Sequence, residues 1–207
     1  MKRLEPYKDI SEAKTSLDNG GRFYNILTKA DDGVISQSEL GKVAGLFSNK
    51  QTMILFLDLS ISLLNENDKN QVISLLTDDL QSMYIEHTCV ALLPSQANSI
   101  GKLSCNTIIT GIPKKLESKS DFNGFIMIPI VTGKVTTFTM IPIIDTYDVY
   151  EVVEEGTTDT FIIAHAKGSH KLPEKKIQVA GVLKELKSKK DEKSASNKYL
   201  EAIYYVD

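Results

Sequence analysis

Apolar positions along the first ninety residues return at helical spacing, and after about residue 105 they run in β-branched and alternating blocks. In the first part Val43, Leu46 and Phe47 form one short face, and Val72, Ile73, Leu75 and Leu76 form another. The stretch Met53–Leu64 is apolar nearly all round, which predicts the central helix of a small bundle. Leu57, Leu59, Ile61 and Leu63 also alternate with Asp58, Ser60 and Ser62, a strand pattern, but the helix start upstream decides for helix. Three such starts are expected. Ser36-Gln37-Ser38-Glu39 and Ser48-Asn49-Lys50-Gln51 read as capping boxes, and Thr77-Asp78-Asp79 puts two carboxylates at a helix N-terminus.

The second part reads as antiparallel strands near residues 107–112, 122–131, 135–144, 147–153, 160–166, 177–186 and 199–206. The small polar stretch 94–101 predicts a linker between an acidic helical domain (1–93) and a β domain (102–207) with basic C-terminal loops. The expected fold class is α+β, a small helical bundle followed by an antiparallel barrel or sandwich. One element echoes: Phe125-Ile126-Met127-Ile128-Pro129-Ile130 returns as Phe138-Thr139-Met140-Ile141-Pro142-Ile143, on the arms of a hairpin turning at Thr132-Gly133-Lys134. Each proline requires a bulge or an outward-facing amide. The arms read as core strands bent into a barrel or, alternatively, as a hydrophobic docking edge.

Charge sharpens the division. Residues 1–86 hold 9 Lys/Arg against 13 Asp/Glu, 87–163 hold 5 against 8, and 164–207 hold 10 against 6. The start has basic residues with no apolar run behind them, and Met53–Leu64 is too short to span a bilayer, so no membrane association and a cytoplasmic setting are expected. Cys89 and Cys105 are read as free thiols, since their spacing fits neither a CxxC pair nor a disulfide framework.

Residues Thr28 to Glu39 resemble a degenerate EF-hand loop, with Gly33 at the sharp turn, Ile35 at the apolar eighth position and Glu39 at the bidentate twelfth. That resemblance implies Asp32, Ser36 and Glu39 as metal ligands, whereas Thr28 and Ala30 stand where ligands are needed. Helical domains of the tellurite-resistance type are similar in the same Asp-Gly turn before a Glu-started helix. Lys167, Lys171, Lys187, Lys189, Lys190 and Lys193, with the ring of Tyr199, are candidates for a partner or nucleic-acid surface. A small barrel with lysine loops beside aromatic strands resembles OB-fold domains, in which lysines follow phosphates and rings stack on bases. Arginine is confined to Arg3 and Arg22, which argues against bidentate phosphate reading. His165, Ser169 and His170 flank one turn, with neither an orienting acid nearby nor a nucleophile elbow, and no phosphate-cradling glycine loop or HExxH occurs.

The expected function is therefore a non-enzymatic binding or regulatory protein with two interaction surfaces. Its β domain would take a protein partner or single-stranded nucleic acid, and no cofactor is expected. The alternative is a hydrolase using His165, Ser169 and His170 in a cleft between the halves.

Overall fold

The computed structural model describes residues 1–20, 30–46, 48–117, 124–132, 135–168, 171–187 and 198–207. The fold is mixed α+β, and the chain divides into two compact bodies. One comprises residues 3–89 with 206, the other residues 1–2, 90–205 and 207.

The helical body is built from α1 (Ile10–Leu17), α2 (Gln37–Ala44), α3 (Lys50–Ser60), α4 (Glu66–Ser74) and α5 (Asp78–His87). Its helix starts follow capping chemistry. Ser36 and Glu39 form the expected reciprocal box at α2. At α3 the cap lies one residue later than the box read over 48–51: Asn49 accepts from the Thr52 N–H at 2.9 Å. Asparagine is a strong N-cap, and from position 49 its amide oxygen meets the third helical N–H. Thr77 stands at the N-cap of α5 without a side-chain bond, so its two aspartates act through the helix dipole alone. Helix α3 buries Met53, Ile54, Leu55, Phe56, Leu57 and Leu59, which settles the ambiguous stretch as helix. Its half-buried Asp58 accepts the Cys89 backbone N–H at 2.7 Å.

The stretch read as a linker is instead a helix of the second body, α6 (Pro94–Ile100). Pro94 opens it, where the missing N–H costs nothing. The Ser95 N–H donates to the Glu154 carboxylate at 3.1 Å, and Lys198 Nζ donates to the Asn98 and Gly101 carbonyls at 2.7 Å each. Both helix ends are thereby satisfied and Ala97 is fully buried, so small polar composition here marks close packing. The bodies part between Cys89 and Val90.

The second body carries a seven-stranded sheet formed by β1 (Lys2–Arg3), β2 (Val90–Leu92), β3 (Asn106–Leu116), β6 (Tyr147–Val153), β7 (Thr160–Ala166), β8 (Ile177–Glu185) and β9 (Lys198–Val206). A separate two-stranded sheet comprises β4 (Phe125–Thr132) and β5 (Val135–Pro142), after which the single turn α7 (Ile143–Thr146) leads into β6. Strand β3 changes partner along its length: Asn106–Gly111 pairs with β8, and Ile112–Leu116 pairs with β6. β6 pairs antiparallel with β7, β7 runs parallel to β9, β8 also pairs β9, and β2 lies parallel to β3. Buried side chains of these strands gather around Tyr150, Phe161 and Ile163 with Val179 and Leu200.

Two glycines permit the close approaches this arrangement needs. A Cβ at Gly181 would collide with the Glu201 carbonyl of β9, and one at Gly111 would meet Val152 and Val153 of β6. Replacing Gly181 with Ala is expected to lower unfolding free energy by about 1–3 kcal/mol, the usual range for overpacking. Gly156, whose Cβ direction is open, should lose less on the same change despite its positive φ. Urea denaturation followed by circular dichroism compares the two.

Candidate functional site

Sequence pattern places the β4–β5 hairpin among core strands or at a docking edge, and its ladder shows how its residues divide between two faces. The register is continuous from Phe125↔Pro142 to Thr132↔Val135, with no extra residue on either arm, so the bulges allowed for are absent. The Phe125 N–H donates to the Lys187 carbonyl at 2.8 Å, and its carbonyl accepts from the Lys187 N–H at 2.9 Å. Both main-chain groups of Phe125 thus point away from β5, making Phe125↔Pro142 a pair without ladder bonds. Such pairs alternate along an antiparallel ladder, so Pro129↔Phe138 is of the same kind. Both prolines lack an N–H only where that group would face outward. The hairpin loses no bond to them.

Alternation also assigns the faces. Ile126 and Ile128 lie on one face and join the cluster of Ile143, Ile144, Val149, Ile162 and Leu186. The opposite face carries Met127, Pro129 and Val131 from β4, with Met140, Phe138 and Thr136 across from them. Here Met127 is 46% exposed, Met140 51%, Phe138 61% and Val131 68%. The echoed element therefore repeats Phe, Met and Pro on this one face from both arms, and no residue of β4 or β5 is charged. Scattered exposed apolar side chains need no explanation, whereas a contiguous uncharged group of large ones is the kind of surface on which contacts with protein, ligand or membrane form. Sequence reading singled out the echo but favoured burial for it. The available signal was the missing charge, since an exposed strand normally carries some.

The residues expected to form sites are placed as follows. Lys167 and Lys171 are exposed. Lys187 ties the hairpin root through its backbone, and its ammonium pairs with Glu185. Lys189, Lys190 and Lys193 lie outside the described residues, as do Ser169, His170, Thr28 and the 133–134 turn. Tyr199 is only 5% exposed, its ring edge-on to Tyr147 at 6.4 Å. A ring so enclosed has no open face for a base, which corrects its assignment to a binding surface. Burial, then the neighbouring Glu201, raises the Tyr199 hydroxyl. Burial together with its hydrogen bond to Glu201 (2.9 Å) pushes Tyr147 up to about 12. Nearby lysines are paired: Lys176 with Glu155 at 2.6 Å, Lys175 with Asp207 at 2.9 Å and Lys115 with Asp148 at 2.8 Å.

His165 lies 1% exposed within the sheet body, stacked on Tyr150 at 5.5 Å between ring centres. Its Nδ1 pairs with the Ala166 carbonyl at 3.0 Å, which makes Nδ1 the protonated nitrogen of the neutral ring. Its buried Nε2 has no partner among the described residues. A substrate has no access to a ring so enclosed. Burial lowers the His165 pKa. Cys89 and Cys105 are free thiols. Burial first, then the Asp58 charge, drives the Cys89 thiol far upward, which favours its protonated form near pH 7.

The EF-hand-like loop is knitted from within. Glu39 Oε1 accepts from the Gly20 N–H at 2.8 Å and Oε2 from the Ser36 N–H at 2.7 Å. Asp32 Oδ1 accepts from the Val34 N–H, and Ser36 Oγ accepts from the Glu39 N–H. Asp18, which sequence reading passed over, binds the Asp32 and Gly33 N–H groups at 3.2 and 2.7 Å. Among the described residues no three His, Cys, Asp or Glu side chains converge as a metal site requires.

Three measurements follow. Replacing Glu39 with Ala should cost about 2–3 kcal/mol by stranding two backbone N–H groups, and calorimetry should show no calcium binding tighter than about millimolar. Micromolar binding abolished by Glu39→Gln would overturn the second expectation. His165, with its folded pKa depressed, contributes stability that is full above its unfolded pKa near 6.5 and lost as pH falls from there toward the folded value. Urea midpoints taken at about pH 7.5 and 5.5 should therefore fall further for the native chain than for His165→Gln. Compared with protein-family models, curated proteins and solved structures, the chain matches none.

Proposed function

We propose that the chain is a non-enzymatic binding protein that docks a protein partner through the uncharged face of the β4–β5 hairpin. The observation that carries this reading is the group Met127, Val131, Phe138 and Met140, large, exposed and on one face. The architecture supports it. Following the pairings from β3 to β6, β7, β9 and β8 returns to β3, with β7 and β9 parallel. That order supports reading the body as OB-like, an arrangement whose first strand serves two ladders and whose loop after that strand takes part in binding. The hairpin occupies that loop. Burial of His165 in neutral form speaks against the hydrolase alternative. The acidic helical body remains the second expected surface.

Single-stranded nucleic acid is a second reading. It is favoured by that strand order and by Lys187, which is bonded to the hairpin root and is followed in sequence by Lys189, Lys190 and Lys193. Enclosed Tyr199 and the paired lysines weigh against it.

A photo-crosslinking residue installed at position 131 tests the first reading in native extract. One dominant protein adduct is expected, and it should disappear when Met127 and Met140 become Ser. Absence of any specific adduct would refute docking at this face. Salt-dependent anisotropy of a labelled oligonucleotide, weakened when Lys167, Lys171 and Lys187 are neutralised, would favour the nucleic acid instead.

A further inference from the structure

Resting on that reading, we infer that the occupant of the hairpin face is a second copy of this chain, docked face to face. The ladder first rules on edge against face. Pro129 interrupts the outward amides of β4, Lys187 covers its root, and Pro142 ends those of β5. Prolines on outward positions are a device by which strands resist edge addition. The face has no such guard. It carries Met, Phe and Pro from both arms and Val131 from β4, and Thr136 is its one hydrogen-bonding side chain.

A second copy is the occupant this face suits. It has no charge with which to select a partner of opposite sign, and its apolar character is that of homodimer interfaces. Two identical uncharged faces meet without repulsion. The exposed fractions of Met127, Val131, Phe138 and Met140, with exposed Pro129 and Thr136, leave on the order of 500 Å² per copy. Complete burial of this face on two copies would remove roughly 1,000 Å² from water, the lower bound for a specific interface. Stability points the same way. A projecting two-stranded sheet is marginal in water by itself, and sheet-on-sheet packing about 10 Å apart would cover the face that its own core leaves open.

Sedimentation velocity of the full chain across a concentration series tests this. A copy weighs 23.0 kDa, and a concentration-dependent dimer of twice that mass is expected. Phe138→Ser with Met140→Ser should weaken dimerisation on the order of 100-fold. Both side chains are exposed, so the circular dichroism spectrum should stay unchanged. Thr136→Lys and Thr136→Glu chains should each be monomeric alone and pair when mixed, a rescue that only contact between copies gives. A native chain that stays monomeric at about 100 µM, well above the Kd of a specific dimer, overturns the inference. A monomer that crosslinks to a different protein through the hairpin would sink the second copy and leave protein docking standing. A monomer that floats with neutral phosphatidylcholine vesicles would assign the face to lipid and sink both.

Discussion

Strand β3 serves two ladders, and the rest of the sheet body depends on that change of partner. Up to Gly111 its main chain is bound to β8, and from Ile112 onward to β6. The handover falls beside a glycine because the β6 backbone and Val152 occupy the space of a side chain there. A strand that turns from one partner to another must bend, and residues without a Cβ bend at least cost. Gly181 makes the corresponding approach between β8 and β9 possible.

From this follows the place of the hairpin. Once β3 has bound β6 in antiparallel register, the chain between them is free to leave the sheet and return, and β4 and β5 use that freedom. The excursion is anchored by Phe125 on Lys187 and by Ile126 in the cluster with Ile143 and Ile144. Beyond that anchor Met127, Phe138 and Met140 are left exposed. A side that joins the core through Ile126 and Ile128 and a side that exposes Met127, Phe138 and Met140 are thus the two faces of one ladder, set by the alternation of side chains along a strand, and toward the hairpin tip Ile130 and Val135 are exposed on the first side as well.

The helical body uses carboxylates differently. Buried Asp18 and Glu39 take backbone N–H groups that the loop between α1 and α2 leaves without helical partners. A loop with the outline of a cation site is thereby held by its own amides, since a carboxylate satisfied by two N–H groups already has the positive partners a metal would provide.

Sequence by itself determined what local chemistry controls. Periodicity located α2, α3 and α4 and the edges of β6, β7 and β8, because side-chain direction repeats at 3.6 or 2 residues whatever the tertiary context. The Ser36–Glu39 box was legible because both partners lie within one turn. What spacing could not decide were choices made by residues far apart in the chain. Small polar residues 94–101 have the composition of a loop, and only Glu154 and Lys198, distant in sequence, make them a packed helix. Tyr199 looked like a stacking ring until Tyr147 enclosed it. Alternation told which hairpin residues share a face, but which face meets the core depends on where Ile143, Val149 and Leu186 arrive. Burial is a property of the assembled chain, so composition could mark the echoed arms as apolar and only the tertiary structure decided which of their side chains meet water.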